Sequence, residues 1–294
     1  MPASLNASCE ALNANLLRLG DNHFPASLND LSQPPAELYT LGNAGLLQSP
    51  AVAIVGTRNS TPYGERTTRN IARELARAGV CIVSGMARGI DATAHRAALE
   101  VGGATIAVLG TGIDVAYPAG HRRLHWEIAT RGLVLSENPP GSKAHRGSFP
   151  KRNRIIAALG RLTIVVEAGH KSGALNTASH ALELGRLVAA VPGPIDSEQS
   201  AGTNQLLRDG ATLIATTADA LALLGLGPPA RESSRPNLPD SEQKVWEAVG
   251  FTFTDVDAIT LKTGMTPSVC LAAITSLELM GLVECSIAGE IRRR

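Results

Sequence analysis

The chain has 294 residues, of which 44% are hydrophobic and 18% are charged. This composition is typical of a globular protein with one sizeable α/β domain and a smaller second one, and it excludes a disordered chain. No apolar run approaches the roughly 20 residues that span a bilayer, and the N-terminus lacks the basic-then-apolar pattern of a signal peptide. The sequence therefore predicts a soluble cytoplasmic protein with no membrane partner.

The net charge of +1 hides an uneven distribution along the chain. Residues 1–50 contain one basic and four acidic residues, residues 51–226 contain 19 and 13, and residues 227–294 contain seven and nine. We expect an anionic partner to bind the middle segment, where the positive charge is concentrated. The four cysteines form no CxxC pair, so neither a zinc ribbon nor a thioredoxin-type centre is indicated.

The first 50 residues show little periodicity and predict an N-terminal extension that packs against the main domain through its leucines and Tyr39. From Ala51 onward, short apolar runs alternate with helical stretches. The predicted strands are Ala51–Val55, Val80–Ser84, Thr105–Leu109, Leu133–Ser136, Leu162–Glu167, Leu187–Val191 and Ala211–Ile214. The predicted helices are Gly64–Ala78, Ile90–Val101, His121–Thr130, Arg152–Leu159 and Asn176–Leu184. Continuous apolar strands between helices indicate a sheet covered on both faces, so residues 51–226 are predicted to form a Rossmann-like, doubly wound α/β domain with a mainly parallel sheet.

The stretch from Gly225 to Pro239 is rich in Pro, Gly and Ser, and we place a linker at residues 227–240. Three helices are predicted after it, followed by a short strand pair with a turn at Ala288-Gly289. This order predicts a small C-terminal winged-helix domain at residues 241–294. Its third helix, residues 266–280, contains no Lys, Arg, Asn or Gln. We therefore expect this domain to serve protein contacts more than DNA binding.

Four loops that follow predicted strands are rich in glycine: GTR at 56–58, SGMARG at 84–89, GTG at 110–112 and AGHKSG at 168–173. Ligands of a doubly wound sheet bind outside the carboxyl ends of its strands. Glycines let backbone N–H groups approach an anion closely, and arginines add bidentate phosphate contacts. The predicted anion-binding residues of these loops are Gly56, Arg58, Gly85, Arg88, Gly89, Gly110, Gly112, Ser172 and Gly173.

The segment AHRGSFPKRNRIIAA, residues 144–158, combines several cations with one of the few aromatic residues of the chain. Cations that neutralise phosphates, beside a ring on which a base can stack, are what a single-stranded nucleic-acid site needs. The composition leaves equally open that Phe149 packs in the core. The predicted DNA-binding residues of this region are Lys143, Arg146, Phe149, Lys151, Arg152, Asn153 and Arg154.

Motifs for catalysis and cofactors are absent from the sequence. The pattern GxxxxGK[ST] does not occur, which disfavours a phosphate-loop ATPase, and GxGxxG does not occur, which disfavours a NAD enzyme. His121 and His125 have the spacing of metal ligands on a helix, but Arg122 and Arg123 lie between them. Ser172 is not in a GxSxG elbow. We therefore predict no catalytic residue, no metal site and no cofactor.

Residues 51–214 contain in one order the motifs VGTRNSTPYG, SGMARGIDATAH, LGTGIDVAYP, SENPPG, FPKRNRIIAAL, VVEAGHKSGALNTASHALELGR, AVPG and GTNQLLRDGA. Together they resemble the DNA processing protein A family, also called DprA or Smf. The resemblance implies a cytoplasmic bacterial protein without enzymatic activity that binds single-stranded DNA taken up during transformation, forms a homodimer and helps load RecA recombinase. The family's DNA pocket would include Gly56, Arg58, Gly85, Arg88, Gly110, Gly112, Arg146, Phe149, Arg152, Asn153 and Arg154.

Two other functions stay open at this point. The glycine-rich loop before Thr177 and Glu183 loosely resembles the PGGxGTxxE motif of lysine-decarboxylase-like phosphoribohydrolases, although the initial PGG is absent. That likeness would predict a nucleotide-handling Rossmann enzyme. The third possibility is a transcription regulator that senses a nucleotide and acts through its winged helix.

Overall fold

The computed structural model describes residues 14–145, 147–226, 238–250, 254–286 and 289–293, and the chain divides into two compact units, Met1–Pro229 and Ala230–Arg294. The strands of the first unit are β1 (Asn15–Arg18), β2 (Glu37–Gly42), β3 (Ala51–Val55), β4 (Cys81–Ser84), β5 (Thr105–Leu109), β6 (Leu133–Ser136), β7 (Leu162–Val165), β8 (Leu187–Ala190) and β9 (Thr212–Leu213). Its helices are α1 (Pro62–Arg77), α2 (Ile90–Glu100), α3 (Arg122–Arg131), α4 (Ser148–Leu159), α5 (Gly173–Glu183), α6 (Ala201–Arg208) and α7 (Thr217–Ala222).

The nine strands form one sheet in the order β1-β2-β6-β5-β4-β3-β7-β8-β9. All neighbours from β6 across to β9 are parallel, whereas β2 is antiparallel to both β6 and β1. The chain moves from β3 through β4 and β5 to β6, and then returns to the other side of β3 with β7. This reversal is the switch point of a doubly wound sheet. The predicted Rossmann-like fold with a mainly parallel sheet is confirmed.

Both faces of the parallel strands are covered, which explains their continuous apolar sequences. Ala53 and Val55 of β3 share one core cluster with residues of α4 and α5, and Val52 and Ile54 share another with residues of α1 and α2. The predicted strands are all present; three have the predicted ends, and the ends of the others differ by at most two residues.

Three helices begin earlier than the sequence predicts: α1 by two residues, α4 by four and α5 by three. Helix α4 begins at Ser148, so that Phe149 and Pro150 lie in its first turn, where proline is tolerated because that N–H has no helical partner. Helix α5 begins at Gly173, because the Ser172 hydroxyl accepts a hydrogen bond from the N–H of Ala174 and caps it.

The N-terminal segment is part of the sheet and does not merely pack against it. It supplies β1 and β2, and Tyr39 of β2 is buried beside residues of α3. Leu28 and Leu38 join the core cluster that contains residues of α4. These strands escaped prediction because they are short and because Pro34-Pro35 interrupts the segment.

The second unit contains α8 (Asp240–Ala248), α9 (Val256–Thr263) and α10 (Pro267–Leu279), with a small antiparallel sheet of β10 (Thr254–Asp255), β11 (Val283–Cys285) and β12 (Glu290–Arg293). Buried apolar side chains from all three helices form its core. This arrangement confirms the predicted winged-helix domain. Residues 254–255 form β10, directly before α9. Of the predicted turn, Gly289 has a φ of 83°, and Ala288 lies outside the described residues.

Candidate nucleic-acid interface

The loops that follow β3 and β7 meet at the switch point of the sheet. The N–H of Thr57 donates a hydrogen bond to the carbonyl of Glu167 at 2.7 Å and joins the two loops. An open cavity of about 1160 Å³ lies at this junction, bordered also by α4 and the start of α5. The predicted residues that line it are Gly56, Arg58, Phe149, Arg152, Asn153, Ser172 and Gly173. Parallel topology therefore brings together residues that are far apart in sequence.

A second, smaller cavity of about 50 Å³ adjoins the first one. Gly85, Arg88 and Gly110 line it, and Arg58, Phe149 and Arg152 border both cavities. The remaining predicted residues line neither cavity: these are Gly89, Gly112, Lys143, Lys151 and Arg154. Arg146 lies outside the described residues.

Phe149 forms an aromatic cluster between the two cavities. Its ring centre lies 5.0 Å from that of Tyr117, with the ring planes tilted by 37°, and the Arg58 guanidinium carbon lies 5.3 Å from the Phe149 centre. Phe149 is half-buried, so its ring is neither a core residue nor fully solvated. A cation over an aromatic face is favourable and holds both groups in place. The cluster offers a ring surface and a positive charge side by side.

Arg152 is buried beneath this cluster, with only 6% of the residue exposed. Its Nη1 donates hydrogen bonds to the carbonyls of Gly85, at 2.8 Å, and of Val108. Burial lowers the pKa of Arg152 to about 10, while the nearby Asp91 carboxylate acts in the opposite direction. The Asp91 carboxylate also accepts hydrogen bonds from the N–H groups of Gly85 and Ala87. This pair ties α4 to the loop after β4, and the phosphate contact of Arg152 stays a prediction, because the side chain also lines both cavities.

Two further cations of α4 form ion pairs with Glu137. Arg154 forms hydrogen bonds of 2.7 and 2.9 Å with the two carboxylate oxygens of Glu137, and its side chain is 13% exposed. Lys151 Nζ lies 3.2 Å from the same carboxylate. Positions 151 and 154 share the face of α4 that points away from the cavity. Their expected phosphate contacts compete with Glu137, a partner that the sequence does not reveal.

Most of the predicted glycines allow close packing between loops. A Cβ on Gly85 would lie 2.3 Å from Arg152 Nη1, and one on Gly110 would lie 3.1 Å from Phe149 Cδ1. Similar crowding by other neighbours is found at Gly56, Gly89 and Gly112. Gly173 differs, because a Cβ there would meet nothing within 4 Å. Among the predicted glycines, Gly173 has the backbone most open to an anion, because it lies at the N-terminus of α5.

Several cations around the cavities have no carboxylate within ion-pair distance in the described part of the chain. These exposed cations are Arg58, Arg88, Lys143 and Lys171. Asn153 stands among them and donates hydrogen bonds to the Gly173 carbonyl, at 3.3 Å, and to the Asn176 side chain, at 3.1 Å. It thus joins α4 to α5 on the floor of the larger cavity. The unpaired cations give this edge of the sheet a positive charge that an anionic polymer can neutralise.

Tyr117 and Lys171 are two of the cavity residues that the sequence prediction missed. Tyr117 lies in the motif LGTGIDVAYP after β5, and Lys171 lies in the loop AGHKSG after β7. Because both residues lie in loops that follow a strand, the sequence could have predicted them as residues of the cavity. Only the fold, however, shows that Tyr117 contacts Phe149.

His121 and His125 do not form a metal site. His121 Nδ1 lies 3.0 Å from the carbonyl of Met86, and His125 Nε2 lies 2.6 Å from that of Ile113. The described residues contain no group of three or more His, Cys, Asp and Glu side chains placed to hold a metal ion. Nor is any helix within the described ranges long and apolar enough to cross a membrane.

These features define a two-unit protein: a doubly wound α/β sheet with a basic, aromatic-lined cavity at its switch point, followed by a winged helix. The chain belongs to the DNA recombination-mediator protein A family, whose profile matches residues 15–225. The profile of the DprA winged helix domain matches residues 228–286. The resemblance that the sequence motifs indicate is confirmed.

Known relatives agree with this assignment. A putative DNA processing protein DprA from Mycobacterium tuberculosis is 45% identical over 260 residues, which are 85% of this chain and 67% of that protein. DNA processing protein A from Streptococcus pneumoniae has an X-ray structure with 41% identity and a TM-score of 0.70, covering 74% of this chain and 77% of that one. A structure of the Helicobacter pylori protein, concerned with its single-stranded DNA binding mode, has 36% identity and a TM-score of 0.66 and covers 72% of this chain and 96% of that one.

Proposed function

We propose that this chain binds single-stranded DNA at the switch-point cavity, protects it, and helps load RecA recombinase onto it during natural transformation or another recombination process. The observation that carries the proposal is the cluster of Phe149, Tyr117 and Arg58 among unpaired cations. Membership of the family supports it, as does the similarity to the Helicobacter pylori protein with its single-stranded DNA binding mode.

The chemistry of the cavity favours single strands over duplexes. A ring can stack only on a base whose face is free, and in a duplex each face is covered by its neighbours. Arg58 and Lys171 can neutralise phosphates on either side of a stacked base, because neither is held by a carboxylate in the described part of the chain. Such contacts release counterions and make affinity fall with salt.

Fluorescence anisotropy with labelled oligo-dT, titrated against salt and against a blunt duplex competitor, tests this proposal. We expect tight binding of the single strand, weak competition by the duplex, and a steep fall of affinity with salt. A matched control is Arg161→Ala, which removes an exposed charge next to the start of β7, at the opposite edge of the sheet. Equal affinity for both forms of DNA, or a flat salt response, would contradict the site.

The proposed function includes no catalysis. Glu167 and Glu183, the two carboxylates considered for the enzyme alternative, do not line the cavity. Glu167 accepts hydrogen bonds from the N–H of Thr61, at 3.0 Å, and from its hydroxyl, and Glu183 lies at the far end of α5 beside His180. Incubation with mononucleotides should release neither base nor phosphate. Turnover that disappears in Glu167→Gln or Glu183→Gln would support the enzyme alternative.

A homodimer and a contact with RecA belong to the same proposal, because the family resemblance implies both. Analytical ultracentrifugation should give twice the mass of one chain. RecA filament formation on oligo-dT should be faster with this protein than without it. The function would be limited to DNA binding if the protein is monomeric, or if RecA filaments form no faster when the oligo-dT is saturated with this protein.

A further inference from the structure

A second cation–aromatic pair lies at the start of α1, on the same edge of the sheet as the cavity. Tyr63 and Arg66 are one helical turn apart, and the Arg66 guanidinium carbon lies 5.9 Å from the centre of the Tyr63 ring. The Tyr63 hydroxyl donates a hydrogen bond of 3.0 Å to the carbonyl of Pro192, in the loop after β8. Tyr63 is 36% exposed. The ring is therefore held in a fixed orientation while one side stays accessible to solvent.

Arg66 begins a row of arginines along α1. The row continues with Arg69, Arg73 and Arg77, whose spacing of three or four residues keeps them on one side of the helix. Arg77 pairs with Glu74 at 2.6 Å, and Arg69 lies 3.9 Å from Glu100, with both side chains about half exposed. Arg66 has no carboxylate within ion-pair distance among the described residues. Among those residues Arg73 has no such partner either, so the charge of this row stays unneutralised at Arg73 and at the end nearest the cavity.

The loops after β3 and after β8 connect the Tyr63–Arg66 pair with the cavity. Arg58 and Asn59 line the cavity, and the chain continues from them into the first turn of α1, where Tyr63 lies. On the other side, Glu198 and Gln199 line the cavity and belong to the loop after β8 that also accepts the Tyr63 hydrogen bond. A polymer that leaves the cavity past Asn59 therefore reaches Tyr63 and Arg66 next.

We propose that Tyr63 and Arg66 form an exit subsite for single-stranded nucleic acid, in which a base stacks on the Tyr63 ring and Arg66 contacts the adjoining phosphate. The subsite extends the bound length beyond the cavity, and it rests on the proposed function of that cavity. One strand then stacks at two places: on Phe149 and Tyr117 inside the cavity, and on Tyr63 outside it. Stacking of this kind does not depend on sequence, because every base has an accessible face.

Oligomer length distinguishes the two clusters. The affinities of the parent protein and of Tyr63→Ala and Arg66→Ala are measured for oligo-dT of about 6 and about 20 nucleotides, a range that spans known single-strand site sizes. Each variant should weaken binding of the longer oligomer about fivefold or more, and change that of the shorter one less than about twofold. Phe149→Ala should weaken both lengths. Arg161→Ala serves as the charge-matched control.

Tyr63→Phe separates stacking from a purely structural role, because it keeps the ring and removes the hydrogen bond to Pro192. It should retain the parent affinity for the longer oligomer, and thermal melting of every variant shows which of them stay folded. Arg66→Ala removes an exposed side chain, so it tests the subsite even if Tyr63→Ala unfolds. Equal losses on both lengths, or no loss on the longer one, would overturn the subsite. Failure of the parent protein to bind either length would instead overturn the function of the cavity itself.

Discussion

The switch-point cavity of the first unit and helix α10 of the second unit are the places where their respective folds usually bind ligands or nucleic acid. Their surfaces are opposite in character. The cavity carries unpaired cations and an exposed ring cluster. Helix α10 buries Cys270 and Leu277 on one side and exposes Leu271 and Leu279 on the other, with Glu278 as its single charge. A fold therefore offers a position for binding, and the side chains decide whether the position is used.

The arginines of the second unit strengthen this contrast. Arg292 pairs with Glu284 at 2.9 Å, and Arg293 lies 4.0 Å from the ring centre of Trp246 and donates to its carbonyl. Arg292 thus has a carboxylate partner and Arg293 a carbonyl partner within the unit, whereas among the described residues the Arg58 guanidinium at the cavity has a ring contact and no carboxylate partner. Positive charge supports DNA binding where the fold leaves it unpaired, not simply where the sequence contains it.

The largest effect on DNA affinity is expected from Phe149→Ala. Loss of the stacking ring should cost about 1–3 kcal/mol of binding free energy and leave the salt dependence nearly unchanged. Anisotropy with oligo-dT measures the affinity, and thermal melting shows whether the fold is intact. Trp126→Ala, which removes an aromatic side chain on α3 that is 66% exposed, is the control. A parallel loss of stability and affinity would mean that Phe149 serves packing.

Low pH should destabilise the first unit, which contains all seven histidines of the chain. His95 is fully buried, its Nδ1 lies 2.6 Å from the Thr105 hydroxyl, and burial, assisted by Arg152, lowers its pKa to about 3. Below its ordinary pKa of about 6.5 the unfolded chain binds a proton that the folded chain does not, so stability falls as pH decreases from there towards 3. The loss should be about 2 kcal/mol between pH 7.5 and pH 5.

Urea unfolding at these two pH values measures that loss. His95→Gln should lower the stability at pH 7.5 but reduce the difference between the two pH values. If the variant keeps the full difference, another group is responsible for the acid sensitivity.

Arg58→Ala and Arg154→Ala should have different effects on DNA binding and on stability, although the sequence predicts a phosphate contact for both. Loss of Arg58 should weaken binding by roughly 1 kcal/mol and lower the salt slope by about one counterion, because it removes an unpaired charge. Loss of Arg154 removes the Nη2 group that donates to both oxygens of Glu137, so it should lower the melting temperature and leave the salt slope unchanged. Equal changes in the two salt slopes would show that Arg154 leaves Glu137 to bind DNA.

Removal of the second unit after Leu226, at the start of the proposed linker region, should leave most of the DNA affinity in place. The shortened protein should bind oligo-dT within about tenfold of the full chain, or 1.4 kcal/mol. Sedimentation and melting of the shortened protein serve as controls for assembly and folding. A hundredfold loss in a protein that stays folded and dimeric would show that the winged helix contacts DNA.

The parallel core was predictable because each of its strands is a continuous apolar run. The position of the glycine-rich loops was predictable because the carboxyl ends of parallel strands lie at the same edge of the sheet. The partners of each cation were not predictable. Arg58 and Arg152 are both basic residues in loop-rich, basic surroundings, yet one contacts a ring at the surface and the other is buried against backbone carbonyls. That difference depends on contacts with β4, β5 and Asp91, which only the folded chain brings together.

The antiparallel strands at the start of the chain have a consequence of another kind. The outer backbone groups of β6 are paired with β2, from Tyr39 opposite Ser136 to Gly42 opposite Leu133. An uncovered strand at that position would present a row of free amides and carbonyls to any other extended chain. The N-terminal strands therefore cover β6 and leave β1, a strand of only four residues, at this side of the sheet, and short edge strands limit pairing with other chains. The cavity takes its residues from other parts of the sheet.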